Sequence, residues 1–168
     1  MEDKLSVNDR RTFEPVWDGN SRILILGTFP SPLSFAEGFY YGHPRNRFWP
    51  LLAGLLGEPT PRTVAQKRAL LLGRGVALWD VLETCDITGA ADSTIRNPVP
   101  NDIGALLQKA PVQQIFCNGA KAYQLFQKFQ GDCPLPACKL PSTSPANAAF
   151  SLERLLAAWA VILPGLEG

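Results

Sequence analysis

The sequence predicts an α/β domain, built on a parallel sheet of about four strands with helices on both faces. Three observations carry this. Short apolar runs alternate with longer amphipathic ones, in the order β, α, β, α, β, α, β, α. The short runs are apolar without interruption, as strands buried on both faces are. Each run ends in a glycine, an acid, an amide or a Pro/Ser turn, and open parallel sheets gather such ends along one crevice.

Residues 23–26, Ile-Leu-Ile-Leu, read as the first strand, stopped by Gly27. Residues 46–56 read as a helix with Phe48, Trp49, Leu52 and Leu55 or Leu56 on one face, and Asn46 is a good N-cap type. Residues 63–74 form the next helix, with Thr63 as N-cap and Gly73 as stop. The second strand covers 76–79 and ends at Asp80. Residues 83–100 carry Cys, Asp, Thr, Gly, Ser, Asn and Pro, and read as a long loop. A short helix starts at Asn101 or Asp102 and runs to about Lys109. The third strand, 114–117, ends at Asn118-Gly119, and Ala120–Phe129 follows as a helix. Ala137–Leu140 is a short fourth strand that runs into Pro141-Ser142-Thr143-Ser144-Pro145. Residues 147–162 close the chain as a helix with Asn147 as its cap and Leu155, Leu156 and Trp159 on its apolar face. The first ~20 residues are expected to be loosely attached, as termini often are.

Length and composition bound the function. A chain of 168 residues is read as one domain, 1–168, that buries a core without metals or disulfides. Hydrophobic residues at 46% and charged residues at 18% are ordinary for a globular domain. A net charge of +1 neither demands nor excludes nucleic acid, since a local basic face suffices. No apolar run reaches the roughly 18–20 residues of a membrane span. The polar start lacks a signal-peptide core, so the expected address is the cytoplasm, with no membrane partner and a monomer as default. Cys85, Cys117, Cys133 and Cys138 are expected as free thiols. They contain no C-x-x-C pair, so no metal and no cofactor are expected.

The chemistry concentrates between residues 27 and 49. Gly27-Thr28-Phe29-Pro30-Ser31 leaves the first strand without the lysine of a phosphate-binding P-loop. Then come Tyr40, Tyr41, His43, Pro44, Arg45, Asn46, Phe48 and Trp49; this stretch holds the chain's one histidine and two of its three tyrosines. Phe29, Tyr40 and Tyr41 can stack a flat ring. His43 can donate to a leaving base near neutral pH. Asn46 can cap a helix or hold a water, but an amide takes no proton at neutral pH. Asp80 and Asn118 bring a carboxyl and an amide to the same crevice. Ser31, Arg45, Ser142, Thr143 and Ser144 are candidates for a phosphate, and Lys121 and Lys139 add charge nearby.

Together these motifs resemble the uracil-DNA glycosylase superfamily, closest to its hypoxanthine-DNA glycosylase branch. The resemblance rests on Gly27 to Ser31, on Tyr40-Tyr41-Gly42-His43-Pro44-Arg45-Asn46-Arg47-Phe48-Trp49, on Asn118 to Ala122, and on Leu140 to Asn147. It implies a three-layer α/β/α sandwich that hydrolyses the N-glycosidic bond of a deaminated base flipped out of damaged DNA. Hypoxanthine is the first candidate and uracil the second, with water as nucleophile and an abasic site as product. The resemblance implies the catalytic role for Asn46; His43, by its own chemistry, is the candidate leaving-group donor beside it. Gly27, Thr28, Phe29, Tyr40, Tyr41, Asp80 and Asn118 would hold the base. The better-known uracil enzymes carry an Asp where this chain has Phe29 and a His where it has Leu140. The same residues also fit a mismatch-specific uracil or thymine glycosylase, a lesion-binding module without cleavage, or a nucleoside-processing enzyme.

Overall fold

The computed structural model describes residues 10–167. Along the chain come β1 (Ile23–Gly27), α1 (Pro32–Glu37), α2 (Phe48–Leu56), α3 (Val64–Gly73), β2 (Val76–Asp80), β3 (Leu82–Asp86) and β4 (Arg96–Pro100). Then follow α4 (Ile103–Lys109), β5 (Gln114–Asn118), α5 (Ala120–Phe129), β6 (Ala137–Leu140) and α6 (Leu152–Trp159). The central sheet has the order β2-β1-β5-β6, and every pairing in it is parallel.

The pleat of β1 explains the layers. Ile23 and Ile25 face one core with Val76, Leu78 and Phe116, packed under α2 and α6 by Phe48, Leu51, Leu52, Leu155 and Trp159. Leu24 and Leu26 face the other, with Ala77, Ile115 and Cys117 under Ile103, Leu106, Leu125 and Phe126 of α4 and α5. Each fully buried aliphatic side chain stabilises the fold by roughly 1.5–3 kcal/mol. The register sets Gly27 opposite Asp80, Leu26 opposite Cys117, and Asn118 opposite Leu140. The four polar strand ends therefore lie in one row. Among the described residues, no helix is long and apolar enough to cross a membrane.

Several expectations are corrected. The stretch 83–100 is not a loop throughout: β3 and β4 pair antiparallel as a separate ribbon. Pro98 and Pro100 lack N–H donors and Asn97 has φ 51°, so the ribbon carries register shifts, and its composition hides it. Helix α1 is additional to the expected elements, and its signals are present in the sequence. Ser31 accepts from the Ser34 N–H, Pro32 takes the first helical position, and Gly38 closes the helix at φ 83°. Helix α2 starts at Phe48 rather than at 46. Gly73 lies inside α3; the left-handed residue is Gly75, at φ 79°. The Thr63 cap stands, with Gln66 completing a capping box. The last helix is capped by Ser151, not Asn147, and passes into a 3-10 segment over Ala160–Leu166. Asn147 instead donates to the Ser142 carbonyl at 3.0 Å. The arm over 10–20 is bound: Val16 and Leu78 exchange backbone hydrogen bonds of 2.9 and 3.0 Å. Residues 1–9 of the expected loose terminus lie outside the described residues.

Candidate active site

The row of strand ends opens into a cleft of about 1060 Å³. Its walls include Gly27 to Ser31, the loop carrying Tyr40, Tyr41, His43 and Asn46, then Asp80, Asn118 to Lys121, and Lys139 to Asn147.

The floor is Gly27. A Cβ there would stand 2.6 Å from Asp80 Oδ1 and 2.7 Å from the Tyr41 hydroxyl, so only glycine fits. Asp80 is 3% exposed. Its Oδ2 accepts from the Thr12 hydroxyl at 2.7 Å, and its carbonyl accepts from Asn101 Nδ2 at 2.8 Å. Burial pushes the carboxyl up to about 7, while the Thr12 hydrogen bond pulls it down. Tyr41 stacks on Phe48 at 4.3 Å, with its backbone in the left-handed region at φ 56°. A bulky residue there costs about 1–3 kcal/mol, and such strain collects at functional sites. The Tyr41 hydroxyl is buried with no hydrogen bond of ordinary geometry among the described residues; burial and the nearby Asp80 raise its pKa, and the Asn118 amide beside it acts the other way.

Across the cleft three loops share one network. Asn46 Oδ1 accepts from the Phe48 N–H at 3.0 Å and from the Thr143 hydroxyl at 2.7 Å. The Phe48 N–H fixes which end of the amide is oxygen. Thr143 is fully buried; its N–H donates to Asn118 Oδ1 at 3.0 Å, and its hydroxyl accepts from Asn118 Nδ2 at 3.1 Å. The Asn46 oxygen is thus engaged, and Nδ2 is left without a partner among the described residues. A donor faces the cleft where sequence reasoning had an acceptor holding water.

His43 accepts from the Arg45 N–H at Nδ1, 3.0 Å away. In the neutral ring the hydrogen therefore sits on Nε2, which has no partner among the described residues. Arg45 is exposed and free to meet a phosphate. Arg47 is not: its guanidinium binds the carbonyls of Ser144, Asn147 and Phe150 and staples the 142–150 loop to α2. Thr28 and Phe29 line the cleft, and Phe29 meets Phe35 edge-on at 5.6 Å. Tyr40 is 2% exposed, with its hydroxyl on the Phe13 and Glu14 carbonyls, so it backs the wall from within. Ser31 caps α1. Ser142 Oγ accepts from the Ser144 N–H at 3.0 Å and Ser144 Oγ from the Ala146 N–H at 3.1 Å, which shapes the turn between them. Of the residues assigned to phosphate, Thr143 is fully buried in the cleft wall, with its hydroxyl and N–H already bonded to Asn46 and Asn118.

Residues 15–162 match the uracil DNA glycosylase superfamily. The chain belongs to that superfamily. It is 35% identical over 147 residues to a protein of Methanosarcina acetivorans named hypoxanthine DNA glycosylase, covering 86% of this chain and 92% of that one. A protein of the same name from Methanosarcina barkeri is 36% identical over 115 residues, 67% of this chain and 73% of that one. The solution NMR structure of a proposed uracil DNA glycosylase from Methanosarcina acetivorans superposes with a TM-score of 0.81 at 34% identity, covering 95% and 99% of the two chains. The three-layer architecture with its parallel sheet is that of the superfamily.

In this glycosylase, two residues have contacts at the site that the sequence does not show. Thr143, a phosphate candidate by sequence, joins Asn46 to Asn118. Thr12 lies 68 positions from the carboxylate it binds. A hydroxyl in an N-terminal segment carries no sequence signal of its own; the apolar Phe13 and Val16 beside it hint that the arm packs.

Proposed function

We propose that this glycosylase removes hypoxanthine from DNA. It hydrolyses the N-glycosidic bond of a flipped-out deoxyinosine and leaves an abasic site. The observation that carries this reading is one cleft holding an open amide N–H at Asn46, an open imidazole nitrogen at His43 and the carboxyl of Asp80. The cleft is of the size that takes a small molecule. The curated relatives named hypoxanthine DNA glycosylase support the choice of base.

Extrusion of the nucleotide costs a few kcal/mol, least for a poorly paired base. Tyr41 and Phe29 flank the ring, and Asp80 accepts the N1–H of hypoxanthine. The bond from C1′ to the base breaks first, and its electron pair leaves with the purine. The sugar becomes an oxocarbenium ion, so the attacking water needs no strong base. Asn46 Nδ2 donates to one lone pair of that water and leaves the other for C1′. The His43 Nε2–H stabilises the departing anion, and a proton from the water ends on the base or in solvent. Arg45, Lys121 and Lys139 hold the DNA phosphates. Every group named belongs to one chain, so a monomer suffices for this chemistry.

The test is product analysis on labelled duplexes carrying one hypoxanthine, uracil, xanthine or mismatched thymine. Release of free hypoxanthine with an alkali-labile abasic site supports the reading. Binding without release, or release of uracil alone, overturns it.

A further inference from the structure

Asp80 is held from outside the cleft. Thr12 is absent from the cleft walls, yet its hydroxyl reaches Asp80 Oδ2 at 2.7 Å. The arm that carries it is tied down on both sides. The Thr12 N–H donates to the Glu83 carbonyl at 2.9 Å, and Arg11 pairs with the Glu83 carboxylate. The Phe13 ring packs on Phe35 and Tyr40, and the Phe13 carbonyl accepts from Trp79 Nε1 at 3.0 Å. The Thr12 hydroxyl is therefore fixed in space by its backbone.

We infer that Thr12 is a specificity-determining positioning residue of the base site: its hydroxyl engages Oδ2 of Asp80 and leaves Oδ1, beside Gly27 and Tyr41, as the acceptor presented to the flipped base. The inference rests on the hypoxanthine reading above. Hypoxanthine presents an N1–H to such an acceptor, whereas adenine presents a bare N1 lone pair and is repelled. A hydroxyl donating to the carboxylate also favours its ionised form, the form that accepts. The ionisable groups facing Asp80 are the hydroxyls of Tyr40 and Tyr41 and the Cys85 thiol, and burial holds all three neutral. Asp80 makes no ion pair among the described residues, so Thr12 is the group that steadies its charge. With the carboxyl near 7, loss of that donor matters at physiological pH.

The experiment is a pH profile of single-turnover hypoxanthine excision for wild type, Thr12→Val and Thr12→Ser. Alongside it, carbon NMR follows the Asp80 carboxyl in each protein without substrate. In the wild type the rate rises with pH through about 7. In Thr12→Val that rise moves up by about one pH unit, the rate at pH 7 falls about fivefold, and the two rates converge by about pH 9. Thr12→Ser overlays the wild type. Thr12→Ala replaces the valine variant if the latter does not fold. An equal loss at every pH, or an Asp80 titration that stays in place, overturns the inference and leaves Thr12 as an anchor of the arm. A wild type that titrates as described but leaves hypoxanthine intact refutes the base assignment instead, and the NMR shift still decides the hold of Thr12 on Asp80.

Discussion

Replacing Asp80 by Asn should make the protein more stable above neutral pH and no more stable in acid. The buried carboxyl titrates near 7 in the fold, against about 4 in an unfolded chain. Between those values the folded state holds a proton that the unfolded state has released. Stability from this group is therefore complete below about pH 4 and is lost as pH rises through 7. A span of about three pH units, at about 1.4 kcal/mol per unit, sets a ceiling of about 4 kcal/mol at pH 8. Asn has the same shape, keeps an oxygen for the Thr12 hydroxyl, and never ionises. The assay is urea unfolding of both proteins from pH 4 to 8. The difference should be close to zero at pH 4 and grow towards that ceiling by pH 8. In thermal terms the ceiling is roughly 8–16 °C for a chain of this size. Excision by Asp80→Asn should also lose its rise with pH through 7. A stability difference that stays flat across the range would refute the claim that burial perturbs Asp80. A carboxyl kept at such a cost is the kind of local conflict expected at a working site.

Gly27→Ala puts a methyl 2.6 Å from Asp80 Oδ1 and 2.7 Å from the Tyr41 hydroxyl, so single-turnover excision should fall at least about a hundredfold as the floor is pushed apart. A variant with wild-type rate would mean that the base does not rest there. Arg45→Ala should weaken binding to damaged and undamaged duplex alike and reduce the slope of log affinity against log salt by about 0.9, measured by fluorescence anisotropy. An unchanged slope would remove Arg45 from the phosphate contacts.

The sheet was legible because its strands are continuous apolar runs that end in chemically distinct residues. Their pattern alone assigns Gly27, Asp80, Asn118 and the turn after Leu140 to one crevice, and the strand register puts their ends in one row. The ribbon of β3 and β4 was illegible because Pro98, Pro100 and a left-handed Asn97 argue against a strand, and pairing overrides that preference. The ends of α2 and α6 were misplaced for a related reason. Asn46 and Asn147 are good cap types, but their side chains are drawn into contacts with the 142–144 turn. Asn46 could be singled out from its motif, but not which end of its amide is free. That depends on Thr143, 97 positions away. Thr12 was invisible for the same reason, since distance along the chain hides a hydrogen bond that folding makes.

The most direct test of the account is single-turnover cleavage of a duplex with one hypoxanthine, by wild type and by Asn46→Ala. The account predicts excision by the wild type and a loss of about a hundredfold or more in the variant, with the Thr143 to Asn118 bonds intact and the protein folded. Equal rates would contradict it, because then no water is held by the Asn46 amide.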